Sequence, residues 1–98
     1  MRPEKKPNIW EDVEQGLGSV GKLKILRVML EKSNEAFTKY ALEKATKLKP
    51  MDVRADLRAL VKLGWVREYP YQPRTYKINL ENEIVKRISR FFQDIKYL

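Results

Sequence analysis

The stretch KLKPMDVRADLRALVKLGWV, residues 47–66, places a proline inside an otherwise helical rhythm of apolar residues. Proline is welcome at the first position of a helix, where its missing N–H is not needed, and it disfavours helical geometry in the residue before it. One helix must therefore stop by about Lys47, and another must start at Pro50 after a tight turn. Val53, Leu57 and Leu60 recur at i, i+4, i+7 and set the buried face of the restarted helix, with Val61 at its margin. Gly64 then ends it, as expected of a helix over 50–63. Two helices joined by a short turn, the second amphipathic and bearing arginines, make a helix-turn-helix.

The flanking sequence supplies the remaining elements. Thr38 is placed to cap the first helix of the pair, near Lys39–Lys47, with Leu42 and Ala45 facing inward. Upstream, VGKLKILRVMLEKS carries Leu23, Leu26 and Leu30 at i, i+3, i+7, widened by Ile25 and Met29, and Ser19 is its plausible cap. Earlier still, residues 1–7 form a loose basic arm. Asn8 and Glu11 then open a short helix over 9–15, on which Trp10, Val13 and Leu17 share one face. Beyond Gly64 the period changes to two. WVREY and TYKIN alternate like strands, and PYQPR links them with Pro70 and Pro73 in the loop. A hairpin directly after a helix-turn-helix is a wing, here spanning 65–79.

The last segment, residues 80–98, is helical again, with Asn79 or Asn82 as its cap. Ile84, Ile88, Phe91 and Ile95 recur at i, i+4, i+7, i+11, and Val85, Phe92 and Leu98 broaden the stripe. That is more apolar surface than one small core needs. Either this helix wraps its own domain or it pairs with another subunit, and in the pairing Ile84, Ile88, Phe91, Phe92 and Ile95, with Trp10 and Val13, are the expected contact between two copies of the chain. The fold class expected is therefore α+β, mainly α: a winged helix-turn-helix with a two-stranded wing and flanking N- and C-terminal helices.

Composition narrows the function. The 98 residues include no His and no Cys, which removes the usual triads, thiol nucleophiles, zinc sites and disulfides. No phosphate-binding glycine loop is present, so neither an enzyme nor a cofactor is expected. No stretch approaches a membrane span and no apolar leader is visible, which points to a cytoplasmic protein. The net charge is +8. Eleven basic residues face five acidic ones in 19–64, and three face one in 65–79, while both ends are near neutral. A basic excess confined to the helix-turn-helix and wing looks like an anion-binding face.

LGSVGKLKILRVML resembles the first-helix signature of archaeal winged-helix regulators related to the MarR and ArsR groups. Phe37 and Thr38, Leu42, Pro50, then Val53, Leu57, Leu60 and Leu63, and Gly64 with Val66 follow that pattern without a gap. Arg74 to Tyr76 resemble the entry to the wing's second strand. The resemblance covers about residues 17–79. It implies a DNA-binding transcriptional regulator, although the same fold also serves chromatin proteins and protein-binding modules. This chain departs from the pattern at Lys47, where a turn Gly is common, and at Lys49, where a Ser or Thr cap is common. Met51 and Ala55 stand where polar base-reading side chains often sit, and Asp52 and Asp56 should repel phosphates.

Duplex DNA and a second copy of the chain are thus the expected partners. At about 100° per residue, Arg54, Arg58 and Lys62 form one ridge beside the outer face of the restarted helix. Arg54 and Arg58 are expected on phosphates or guanine edges, and Met51 and Ala55 near thymine methyls. Lys49 adds charge at the turn. In the wing, Arg74 and Gln72 are expected on the backbone or in the minor groove, with Lys77 a backbone contact and Tyr71 a turn residue packed on the prolines. Lys22, Lys24 and Lys39 are candidates for peripheral phosphate contacts, since the start of the second helix usually abuts the backbone in this fold. Any small-molecule effector is beyond what these residues indicate.

Overall fold

A computed structural model describes residues 17–97. The arm over 1–7, the helix over 9–15 with Trp10 and Val13, and Leu98 lie outside the described residues.

Helix α1 spans Val20–Glu31, and the Ser19 hydroxyl accepts a hydrogen bond from the Lys22 amide at 3.1 Å. Its Ile25, Leu26, Met29 and Leu30 are buried, while Leu23 is only half-buried. Helix α2, Lys39–Thr46, starts the same way, with the Ala41 amide donating to the Thr38 hydroxyl at 3.1 Å. Ala45 is exposed rather than inward, and Thr46 takes the buried place near the helix end. Thr46 can be buried because it is satisfied: its hydroxyl donates to the Leu42 carbonyl at 2.6 Å and accepts from the Leu48 amide at 3.2 Å.

The turn that follows is closed by Lys47 in the left-handed region, φ 64°, with its amide donating to the Glu43 carbonyl at 2.9 Å. A side chain there costs roughly 1 kcal/mol that glycine would avoid. Helix α3, Pro50–Lys62, begins at the proline; Lys49 is its N-cap residue and makes no side-chain cap bond. Val53, Leu57 and Leu60 are buried against α1 and α2. Gly64, φ 81°, then turns the chain sharply into the sheet.

Strands β1, Val66–Tyr69, and β2, Thr75–Ile78, pair antiparallel with Val66 opposite Ile78 and Tyr69 opposite Thr75. A third segment joins them at one point. Phe37, in the link between α1 and α2, exchanges two backbone hydrogen bonds with Tyr76, each 2.7 Å long.

Helix α4, Glu83–Asp94, is capped by Asn82, whose carbonyl oxygen accepts from the Ile84 and Val85 amides at 2.9 and 3.0 Å. Its apolar stripe divides into two. Val85, Ile88 and Phe92 are buried in the chain's own core, whereas Phe91 and Ile95 are 55% and 54% exposed and Ile84 is half-buried. The two sets lie about 70° apart around the helix, which is why one stripe cannot serve one surface. The expectation of a subunit contact is thereby corrected for Ile88 and Phe92, which pack within their own protomer. Tyr97 returns to this core, edge-on to Phe92 with ring centroids 4.9 Å apart, and the Arg27 guanidinium covers its other side.

Candidate nucleic-acid interface

The outer side of α3 and the inner side of the wing enclose a cleft of about 280 Å³ lined by Lys39, Arg54, Leu57, Arg58, Val61, Glu68, Arg74 and Tyr76. Helical spacing explains one wall: Arg54 and Arg58, four residues apart, share the flank of α3 that looks toward the wing. Strand alternation explains the other. Val66 and Ile78 face the core, so Glu68 and Tyr76, two residues along each strand and directly opposite one another, share that inner face. Where the core ends, the inward position passes from Val66 to a carboxylate. Lys39 reaches the same space from the first turn of α2.

Four cations thus surround one acid. Glu68 takes Arg74 as its partner, Nη1 to Oε2 at 2.6 Å, and the Tyr76 hydroxyl donates to the same oxygen at 3.5 Å. The bond to Glu68 pushes the Arg74 pKa up, and burial, followed by the nearby Glu68 charge, raises that of the Tyr76 phenol. Lys39, Arg54 and Arg58 form no ion pair among the described residues.

Of the expected DNA contacts, then, Lys39, Arg54, Arg58 and Arg74 are brought together, and Arg74 arrives already engaged by the protein's own carboxylate. Met51 is 74% exposed near the start of α3, with Ala55 and Lys62 exposed further along and Lys49 exposed at its cap. Gln72 is exposed in the wing loop, where Tyr71 stacks on Tyr69 with ring centroids 6.0 Å apart. Lys77 does not join the cleft. It stands opposite Arg67 in the ladder, on the other face of the wing from Tyr76 and Ile78, and Arg67 is itself held by Glu81 at 2.6 Å.

One further expectation is corrected. Asp56 does not stand on the DNA side of α3 but turns onto α1, 3.7 Å from the Lys22 ammonium. Its position lies only about 65° from the centre of the buried stripe, nearer the neighbouring helix than the outer face. Lys22 is correspondingly paired with Asp56. Lys24 lines a smaller hollow with Arg27, Val28, Ala45 and Thr46. Glu68 was absent from the expected site residues; the period-two alternation from Val66 was the signal that marks it as inward.

With helix-turn-helix, hairpin and trailing helix in place, the architecture is decided. The fold is a winged helix. Over 94% of this chain and 90% of the other, it superposes with the transcriptional repressor BigR from Xylella fastidiosa at a TM-score of 0.75 and 16% identity. A homodimeric winged helix-turn-helix DNA-binding domain from Mycobacterium bovis, described as a "possible ArsR-family transcriptional regulator", matches at a TM-score of 0.68 and 22% identity, over 97% of this chain and 87% of that one. The S. aureus MepR chain in a MepR–DNA complex matches at 0.65 and 16%, over 95% and 79% of the two chains. No protein-family model and no curated protein matches the sequence.

Among the described residues, no group of acidic side chains is placed to hold a metal ion, and no helix is long and apolar enough to cross a membrane.

Proposed function

We propose that this protein is a duplex-DNA-binding transcriptional regulator that acts in the cytoplasm as a homodimer, of the archaeal winged-helix type its sequence resembles, and that it is not an enzyme. The observation that carries the reading is the cleft between α3 and the wing, where Lys39, Arg54 and Arg58 present charge and form no ion pair among the described residues. Exposed cations held together by a fold cost repulsion that a polyanion relieves. Helix α3 enters the major groove, Arg54 and Arg58 engage phosphates or guanine edges, Met51 and Ala55 meet thymine methyls, and Arg74 and Gln72 follow the backbone. The exposed Phe91 and Ile95 of α4, with Ile84, supply the subunit contact, and a two-fold axis presents two copies of α3 to successive major grooves. The neighbours in fold support this: one is a homodimeric DNA-binding domain and another was solved with DNA.

Binding of a mixed pool of duplexes, titrated at two salt concentrations, tests the proposal. Affinity is expected to fall steeply with salt, because each neutralised phosphate releases counter-ions, and Arg58→Glu is expected to weaken it strongly. Unchanged binding by that variant removes α3 from the interface. A second reading, a chromatin protein with little sequence preference, is favoured by the base-poor Met51 and Ala55; equal affinity for enriched and random duplexes would select it. The third, a protein-binding module, loses support from Asp56, whose carboxylate is turned toward α1 and leaves Asp52 as the exposed acid of α3.

A further inference from the structure

Glu68 is the one feature of the cleft that a DNA-binding surface does not call for. It places a negative charge inside the wall that would receive phosphates. Strand alternation puts this glutamate on the face of the wing that carries Val66; the residue is exposed at the rim of the cleft, with its side chain 30% accessible. Among the described residues it is the only acid lining the cleft, which it shares with Lys39, Arg54, Arg58, Arg74 and Tyr76.

The chemistry around Glu68 is that of an oxyanion seat. One of its oxygens, Oε2, takes the Arg74 guanidinium at 2.6 Å and the Tyr76 hydroxyl at 3.5 Å, both donors pointed into the cleft. Arg54, Arg58 and Lys39 border the same space and form no ion pair among the described residues. Guanidinium and phenol donors bind a phosphate oxygen as readily as a carboxylate oxygen, and arginine's fork suits phosphate especially.

We propose that the cleft between α3 and the wing is a seat for a single phosphate group, that the Glu68 carboxylate occupies it in the free protein, and that a backbone phosphate of bound DNA displaces Glu68 from Arg74. This rests on the DNA reading above and adds an internal competitor to it. Glu68 keeps Arg74 and Tyr76 in position while the seat is empty of DNA, and it lowers affinity for any duplex that cannot place a phosphate there. Its effect on binding is thus opposite in sign to that of the residue it holds.

That opposition is the test. Duplex binding is measured for the full chain, for Glu68→Gln and for Arg74→Gln, each checked for folding by circular dichroism. Glu68→Gln retains size and hydrogen-bonding capacity and is expected to tighten binding about tenfold at low salt, whereas Arg74→Gln weakens it and makes the salt dependence shallower by about one phosphate. If both variants weaken binding, the pair merely props the wing and the proposal is overturned. Glu68→Ala repeats the measurement should Glu68→Gln fold poorly. Inorganic phosphate, titrated at constant ionic strength, separates the sources. Saturable phosphate binding with no tightening of the duplex by Glu68→Gln assigns the seat to a free anion and overturns the DNA form. If neither the wild type nor the variants bind duplex at low salt, the DNA reading falls and this inference with it. Wild-type binding that Glu68→Gln leaves unchanged overturns the inference alone.

Discussion

The Asp56 carboxylate of α3 lies against Gly21 of α1: a Cβ on that glycine would collide with Oδ2, while Oδ1 stands 3.7 Å from the Lys22 ammonium. The absence of a side chain at Gly21 therefore lets the two helices share a small polar contact at their edge. Gly21→Ala displaces only the end of the Asp56 side chain, so alanine's better helix propensity offsets most of the cost and the variant is expected to lie within about 0.5 kcal/mol of wild type. In an Asp56→Ala background the same substitution is expected to stabilise. Urea unfolding of the two single variants and the double variant measures the coupling, and strictly additive effects would show that the contact does not form.

The same carboxylate gives a pH signature. Burial raises the Asp56 pKa above its ordinary 3.8, and the Lys22 charge offsets that in part. The folded chain then holds this proton at a higher pH than the unfolded chain does. Ionisation costs the fold nothing below 3.8 and a constant amount above the raised value. Asp56→Asn is accordingly expected to be slightly more stable than wild type at pH 7, with the difference gone at about pH 3. A variant that is instead less stable than wild type at pH 7, with the gap closing on acidification, would mean that the ion pair with Lys22 outweighs burial.

The divided stripe of α4 separates the proposed subunit contact from the chain's own core. Phe91→Glu alters an exposed side chain and is expected to shift monomer stability by no more than about 0.5 kcal/mol while abolishing the dimer in sedimentation or light scattering. Ile88→Ala empties part of the core and is expected to cost about 2–5 kcal/mol of stability. If wild type is a strict monomer at high micromolar concentration, the association face is refuted.

Lys47 offers a stabilising change. Its backbone is left-handed and its amide already closes α2, so glycine fits the same geometry without the Cβ clash. Lys47→Gly is expected to raise stability by about 0.5–1 kcal/mol, read as a higher midpoint in thermal unfolding. A lower midpoint would mean that glycine's freedom in the unfolded chain outweighs the relief.

The helices were legible because their signals are local. Pro50, the Thr38 and Ser19 caps and the i, i+4, i+7 aliphatics each act within one or two turns, and α1, α2 and α3 begin where those residues say. The hairpin was legible from its change of period. What escaped depends on neighbours that the sequence does not place. Ile88 and Phe92 share a stripe with Phe91 and Ile95, and only packing divides them. Asp56 lies on a flank of α3 that turns toward DNA or toward α1 according to where α1 sits. Glu68 is inward by alternation, but its meaning emerges only once Arg74 and α3 are brought beside it. Arg54, Arg58, Lys39 and Arg74 were named individually from charge and position; their meeting in one cleft is a tertiary fact.

The paired 2.7 Å hydrogen bonds between Phe37 and Tyr76 fasten the root of the wing to the link just ahead of α2. Lys39 stands two residues beyond Phe37 and Arg74 two residues before Tyr76, so the same fastening joins the backbones that carry them. In the duplex binding proposed above, a site whose groove takes up the span between these two side chains with little bending strain is expected to bind in preference to a stiffer one. Such a protein can rank sequences it never touches.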